Sequence, residues 1–177
     1  MKIAIIAWGS LIWNPETLKY DKEFGWSGSG PFLPVEFARI SKNGRLTLVI
    51  TENGTLVQTF YAISNYADLN SAVGNLKYRE GTTSKNIGYF NKRSNTFYPT
   101  DFQYVENISQ WVANLDVDAV IWTNLPENWQ DVTDDRIRYL NKLTDEKKDS
   151  AKTYIAKTPK QIATRLKLEI VEKLQWL

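Results

Sequence analysis

The stretch Leu33–Ala62, LPVEFARISKNGRLTLVITENGTLVQTFYA, decides the fold class. Leu33 to Ser41 alternates as a strand does, successive side chains pointing to opposite faces. Lys42-Asn43-Gly44 follows, then the apolar-rich run Arg45 to Thr51. Glu52-Asn53-Gly54 precedes a third strand, Thr55 to Ala62. Asn-Gly between such runs is a hairpin signal, because both residues tolerate the positive φ of a tight turn. The spacing predicts an antiparallel meander and leaves no room for the helix of a βαβ unit.

Outward from this stretch the pattern changes. Lys2 to Ala7 reads as a buried strand running into Trp8-Gly9-Ser10-Leu11-Ile12-Trp13-Asn14-Pro15. Downstream, Ser64 or Asn65 can cap a helix from Tyr66 to about Tyr78. Ile87 to Lys92 and Thr96 to Tyr98 form a second hairpin around Arg93-Ser94-Asn95, and Ile108, Trp111, Val112 and Leu115 fall at helical spacing. Val117 to Trp122 is a buried strand, and helices follow over 133–143 and 146–157. Thr158-Pro159-Lys160-Gln161 combines a capping box with Pro at the first helical position, opening a last helix striped by Ile162, Leu166, Ile170 and Leu174. Strands first and helices later argue an α+β fold, read as one domain over 1–177 with 133–177 a C-terminal helical extension.

Composition narrows the chemistry. Lys and Arg number 22 against 20 Asp and Glu in 177 residues, a net charge of +2. Such a balance points to neither nucleic acid nor an anionic membrane, and the basic residues after Lys142 read as solvated helix faces. Cysteine and histidine are both absent. That excludes disulfides, thiolate nucleophiles, Ser-His-Asp catalysis and His- or Cys-ligated metals. Acid–base work near neutral pH falls to a perturbed carboxylate, Lys or Tyr. The N-terminal apolar run is too short for a signal peptide or membrane span, so Asn53-Gly54-Thr55 and Asn107-Ile108-Ser109 are chance glycosylation patterns and the expected compartment is the cytoplasm.

Several residues are candidates for function. A strand that stops at Gly9-Ser10 and turns away leaves backbone N–H groups without ladder partners, which suits an anion or oxyanion. Glu80 lies almost three helical turns beyond Leu69, at ~3.6 residues per turn, and so falls on the apolar stripe of Leu69, Val73 and Leu76. Burial and the negative end of the helix dipole would both raise its pKa and let it pass protons near neutrality. The competing reading ends the helix earlier and leaves Glu80 in solvent or paired with an Arg. Arg39 shares a strand face with Val35 and Phe37, where it either holds a ligand carboxylate or is structurally paired. Ser10 lacks a histidine base and reads as a hydrogen-bonding or backbone contact. Asp116/Asp118 and Asp134/Asp135 are spaced for Mg²⁺ but sit where surface acids and helix caps are normal. The Gly-rich loop 25–31 lacks the Gly-Lys-Ser/Thr ending of a phosphate loop, and Gly9 alone does not make a dinucleotide fingerprint. Of seven Trp, Trp8 and Trp13 are candidates to wall a pocket, the rest core or loop anchors.

Two of these segments carry a family resemblance. Gly9-Ser10-Leu11-Ile12-Trp13-Asn14-Pro15 after a strand resembles the Tyr-Gly-Ser-Leu loop of the γ-glutamylcyclotransferase-like superfamily, closest to its glutathione-acting branch. Leu76-Lys77-Tyr78-Arg79-Glu80 followed by Gly88-Tyr89 is similar to that branch's Leu-x-Tyr-Arg-Glu and Gly-Tyr. The close match covers roughly a sixth of the chain. The resemblance implies a small mixed, largely antiparallel β-barrel flanked by helices. It also implies a reaction without metal or cofactor, in which a γ-glutamyl amine or peptide cyclises to 5-oxoproline and releases its amine. Glu80 would be the general base and acid; Trp8, Gly9, Ser10, Leu11 and Tyr89, with Arg39, would bind the small γ-glutamyl substrate. Trp8 stands where the family has Tyr, and Gly81 to Asn86 are inserted before Gly88-Tyr89. Two other readings compete: a barrel that binds a small carboxylate or amine without turning it over, and an interaction domain whose basic C-terminal helices hold a partner.

Overall fold

Strand β1 (Ile3–Ala7) is buried at all five positions, as a strand covered on both faces must be. The computed structural model describes residues 1–130 and 135–176. After β1 come β2 (Phe32–Ile40), β3 (Leu46–Ile50), β4 (Thr55–Gln58), β5 (Phe60–Ile63), α1 (Leu69–Glu80), β6 (Ile87–Asn91), β7 (Thr96–Tyr98), α2 (Val105–Ala113), β8 (Ala119–Thr123), α3 (Arg136–Asn141), α4 (Asp145–Lys157) and α5 (Arg165–Leu174). The fold is mixed α+β. The chain divides into two compact units, residues 1–33 with 58–125 and residues 34–57 with 126–177.

The first unit holds a five-stranded sheet in the order β5-β1-β8-β6-β7. β1 runs parallel to β8, with Ile3 opposite Ala119 and Ile6 opposite Trp122; its other neighbour, β5, is antiparallel. One face of this sheet, with Ile3, Ile5, Ala7, Ile87 and Ile121, packs against Ala72 and Leu76 of α1 and Leu11 and Leu18 of the loop after β1. The other face is aromatic: the Trp122 and Phe102 rings lie 4.8 Å apart, and Phe90 stacks on Phe97 at 4.2 Å. Gly88 is needed there, because a Cβ would stand 2.2 Å from Trp122 Cε2.

Helix α1 begins later than the sequence spacing predicts. Asp68, not Ser64 or Asn65, is its cap, accepting from Ser71 N at 2.8 Å. Ser64 instead accepts from Tyr66 N in a turn. The helix reaches Glu80 and ends at Gly81, whose φ of 58° is the left-handed conformation a C-terminal glycine supplies.

In the second unit the three strands lie in the order β3-β2-β4, so β2 is central and the meander expected from the sequence is not formed. Lys42-Asn43-Gly44 does turn β2 into β3, with Gly44 at φ +76°. Asn53-Gly54 does not make a hairpin. Gly54 passes so close over β2 that a Cβ would meet the Pro34 carbonyl carbon at 2.5 Å, and β4 pairs with β2 instead. The run Thr55 to Ala62 is two strands, broken at the buried Thr59, which donates through N and Oγ1 to Pro31 O at 3.0 and 2.7 Å.

Glu36, on β2, is buried and accepts from Phe37 N at 2.9 Å and from Leu166 N at 3.2 Å in the first turn of α5. Its carboxylate complements the positive end of that helix. Thr158 closes α4 rather than opening the last helix; α5 starts at Arg165 under the cap Thr164, and Ile162 is buried ahead of it. The beginning of the 133–143 helix, at residues 133 and 134, lies outside the described residues, as does Leu177. Among the described residues no helix is long and apolar enough to cross a membrane.

Gly88→Ala is expected to destabilise the protein by about 1–3 kcal/mol or more, since the indole of Trp122 has nowhere to move within its packed face. Urea unfolding compared with the wild type measures it; an unchanged midpoint would show that Trp122 can be displaced freely.

Candidate functional site

Because β1 and β8 are parallel, their carboxyl ends lie side by side, and α1 crosses the same face of the sheet. After Ala7 the chain turns sharply: Ile12 N donates to Gly9 O at 3.1 Å and Asn14 N to Ser10 O at 2.8 Å. The N–H groups of Ser10 and Leu11 take no part in this turn's bonding, as at the start of a helix. Trp8 and Leu11 are buried and Gly9 and Ser10 half-buried.

The last turn of α1 meets this loop through Arg79. Its guanidinium donates to Glu80 Oε1 at 2.8 Å, to Ser10 Oγ at 3.1 Å and to Asn14 O at 2.6 Å. The Arg79 and Glu80 side chains are only 8% and 13% exposed, so the pair is shielded from water. Burial pushes the Glu80 carboxyl above its ordinary range; the Arg79 charge opposes that, and the Thr123 hydroxyl, at the end of β8, also favours the charged form. Glu16 adds a repulsive negative charge that raises it further. Glu16 has φ 50° and accepts from Asn14 Nδ2 at 2.7 Å. Two polar atoms close to this centre are buried: Arg79 Nε has no hydrogen-bond partner among the described residues, and Thr123 Oγ1 makes none of full geometry there, although it lies close enough to Glu80 to act on its charge.

The expected site residues thus separate into those held together and those placed elsewhere. Glu80 and Ser10 are joined through Arg79, and Trp8, Gly9 and Leu11 belong to the same turn. The helix reaches Glu80, against the competing reading that ends it earlier, and the carboxylate is buried, although an Arg does pair with it. Tyr89 stands on the α1 face of β6, opposite Ile121, and stacks on Tyr98 with ring centroids 5.5 Å apart. Arg39 belongs to the second unit, where its guanidinium donates to Pro126 O at 2.6 Å.

The aspartate pairs have other employment. Asp118 accepts from Lys2 N at 2.7 Å and pairs with Arg93 at 3.1 Å, and Asp116 lies 3.3 Å from Lys2 Nζ. The Lys2 backbone N–H and then the Arg93 guanidinium lower the Asp118 pKa. Asp135 caps α3 through Arg138 N at 2.7 Å, and Asp134 lies outside the described residues. Sequence reasoning passed over Arg79, Asn14, Glu16 and Thr123. Arg79 had a signal, as the neighbour of an acid on an apolar stripe; Thr123 had none.

Chemically, the arrangement offers a shielded carboxylate able to exchange a proton, beside a turn with backbone donors free of that turn's own bonding. Comparison with family models, with curated proteins and with solved structures finds no match to this chain.

Replacing Arg79 with Lys is expected to raise the Glu80 pKa beyond its wild-type value, because one ammonium cannot hold the carboxylate, Ser10 and Asn14 in the geometry of a planar fork. Carboxyl-carbon NMR titration reads this directly. The wild-type midpoint should stand above the ordinary glutamate value of 4.5, and a midpoint at or below it would overturn the account of Glu80.

Proposed function

We propose that this site belongs to a cofactor-independent γ-glutamyl cyclotransferase, which converts a γ-glutamyl amine or peptide to 5-oxoproline and a free amine. The observation that supports the reading most is the buried Glu80, fastened through Arg79 to the Ser10–Asn14 turn. A carboxyl raised by burial can both accept and return a proton, which a single-residue base and acid requires.

In this reading the substrate's neutral α-amine attacks its own γ-carbonyl carbon. A C–N bond forms, and Glu80 takes a proton from the attacking nitrogen. The carbonyl oxygen gathers negative charge within reach of the Ser10 and Leu11 N–H groups. Glu80 then gives the proton to the leaving nitrogen as the original C–N bond breaks and the carbonyl reforms. Ring closure within one molecule already supplies much of the proximity that a two-substrate reaction would need.

With the function go the membership in the γ-glutamylcyclotransferase-like superfamily and its small mixed β-barrel. The five-stranded sheet, with its parallel β1–β8 pair among antiparallel neighbours and α1 across one face, supports that placement. The cytoplasm is the proposed compartment, in keeping with a sequence free of cysteine. A second reading, a site that binds a small carboxylate or amine without reaction, is favoured by the engagement of Glu80 Oε1 with Arg79.

Incubation of the purified protein with γ-glutamyl dipeptides and γ-glutamyl amines is expected to release 5-oxoproline. Glu80→Gln should lower turnover by about 10²–10⁴-fold. Turnover that survives this substitution removes Glu80 from the reaction. Ligand-dependent quenching of tryptophan fluorescence with no product at high protein concentration selects the binding reading.

A further inference from the structure

We propose that Thr123 is a positioning residue of this site, its hydroxyl accepting a hydrogen bond from the substrate's α-amine and holding that nitrogen against Glu80. The inference rests on the cyclotransferase reading above and adds to it a residue that neither sequence motif contains.

Three placements lead to it. Thr123 is the last residue of β8, and its register partner is Ile87. It follows Ile121 by two, so its side chain continues the row that packs under Leu76 of α1. That row runs toward the carboxyl end of β8, beside the end of β1 from which the Ser10–Asn14 turn departs. Secondly, Thr123 Oγ1 is buried, makes no hydrogen bond of full geometry among the described residues, and lies near enough to the Glu80 carboxyl for its hydroxyl to favour the charged form. A hydroxyl so enclosed is unfavourable unless something completes its bonding. Thirdly, Arg79 engages Oε1 of Glu80, and the ligand is assigned to Oε2.

The Thr123 hydroxyl can donate toward the Glu80 carboxyl and still accept through its own lone pairs, so the two side chains together offer two acceptors to a donor with more than one N–H. A primary amine has that form. With one N–H on Thr123 and another on Glu80, the nitrogen lone pair is left for the γ-carbonyl carbon, and the proton to be moved already lies on its acceptor. Neither oxygen alone would fix that orientation. The charged groups that bear on Glu80 are Arg79 on its own helix and Glu16 on the loop after β1, and Thr123 is the uncharged third neighbour, on β8.

The test compares Thr123→Val, which keeps the β-branched shape without the hydroxyl, with Thr123→Ser, which keeps the hydroxyl. Initial rates with a γ-glutamyl dipeptide are followed across pH. Thr123→Val is expected to lower kcat/KM by about tenfold or more. It should also move the acid limb of the profile to higher pH, since the hydroxyl favours the ionised form of Glu80. Thr123→Ser should restore both. A Val variant with wild-type kcat/KM and an unmoved limb overturns the role of Thr123 and leaves the cyclotransferase reading standing. Activity lost in both variants with the limb unmoved marks a structural residue and overturns it as well. A wild-type protein that yields no 5-oxoproline from any γ-glutamyl compound overturns both readings together.

Discussion

The parallel pairing of β1 with β8 is the contact on which the first unit depends. It joins the start of the described chain to a strand more than a hundred residues later and makes β1 an interior strand, buried on both faces. Parallel neighbours need a long crossover, and here the connection contains β2 to β5, α1, β6, β7 and α2. Two strands that end together at one edge also release their chains together. Ser10 and Thr123 leave the sheet from adjacent strands, and the last turn of α1 reaches that edge through Arg79. Without this pairing the turn, the helix end and the strand end would be three unrelated surface features.

The electrostatics of that edge follow from burial. A shielded carboxylate is unfavourable when alone, and one guanidinium both compensates its charge and ties down the loop. Arg79 is therefore as much a part of the loop's architecture as of the ion pair, since its other two bonds go to Ser10 and Asn14. In a chain with no histidine, a carboxyl lifted by its surroundings is the natural means of moving protons near neutrality. The lift is a balance: desolvation and Glu16 act upward, Arg79 and Thr123 downward.

Much of this was legible in the sequence where it depended on local rules. The strand ahead of Gly9, the hairpin at Asn43-Gly44, the β6–β7 hairpin and the glycine stop after Glu80 all follow from periodicity and turn chemistry. The failures are of another kind. Glu52-Asn53-Gly54 carries the local signal of a hairpin, yet Gly54 is there for close approach to β2, a partner that sequence spacing does not name. Thr158-Pro159 has the chemistry of a helix start, but tertiary packing gives that part to Thr164, with Glu36 reaching the first turn from another strand. Of the candidate site, Glu80 could be found because its oddity lies on its own helix. Thr123 could not, because its meaning comes only from the strand pairing that brings it beside Glu80.

The chain passes between the two units three times, after Leu33, after Val57 and after Leu125. Neither unit is therefore a continuous segment. During synthesis, residues 34–57 emerge early with an apolar sheet, but α3, α4 and α5, which belong to the same unit, emerge only after β8. Glu36 waits for Leu166, and Phe37 for the Tyr154 ring that packs edge-on against it. Vectorial folding can finish the β1–β8 sheet first, while the segment inserted in it remains an uncovered apolar surface until residues 126–177 are made.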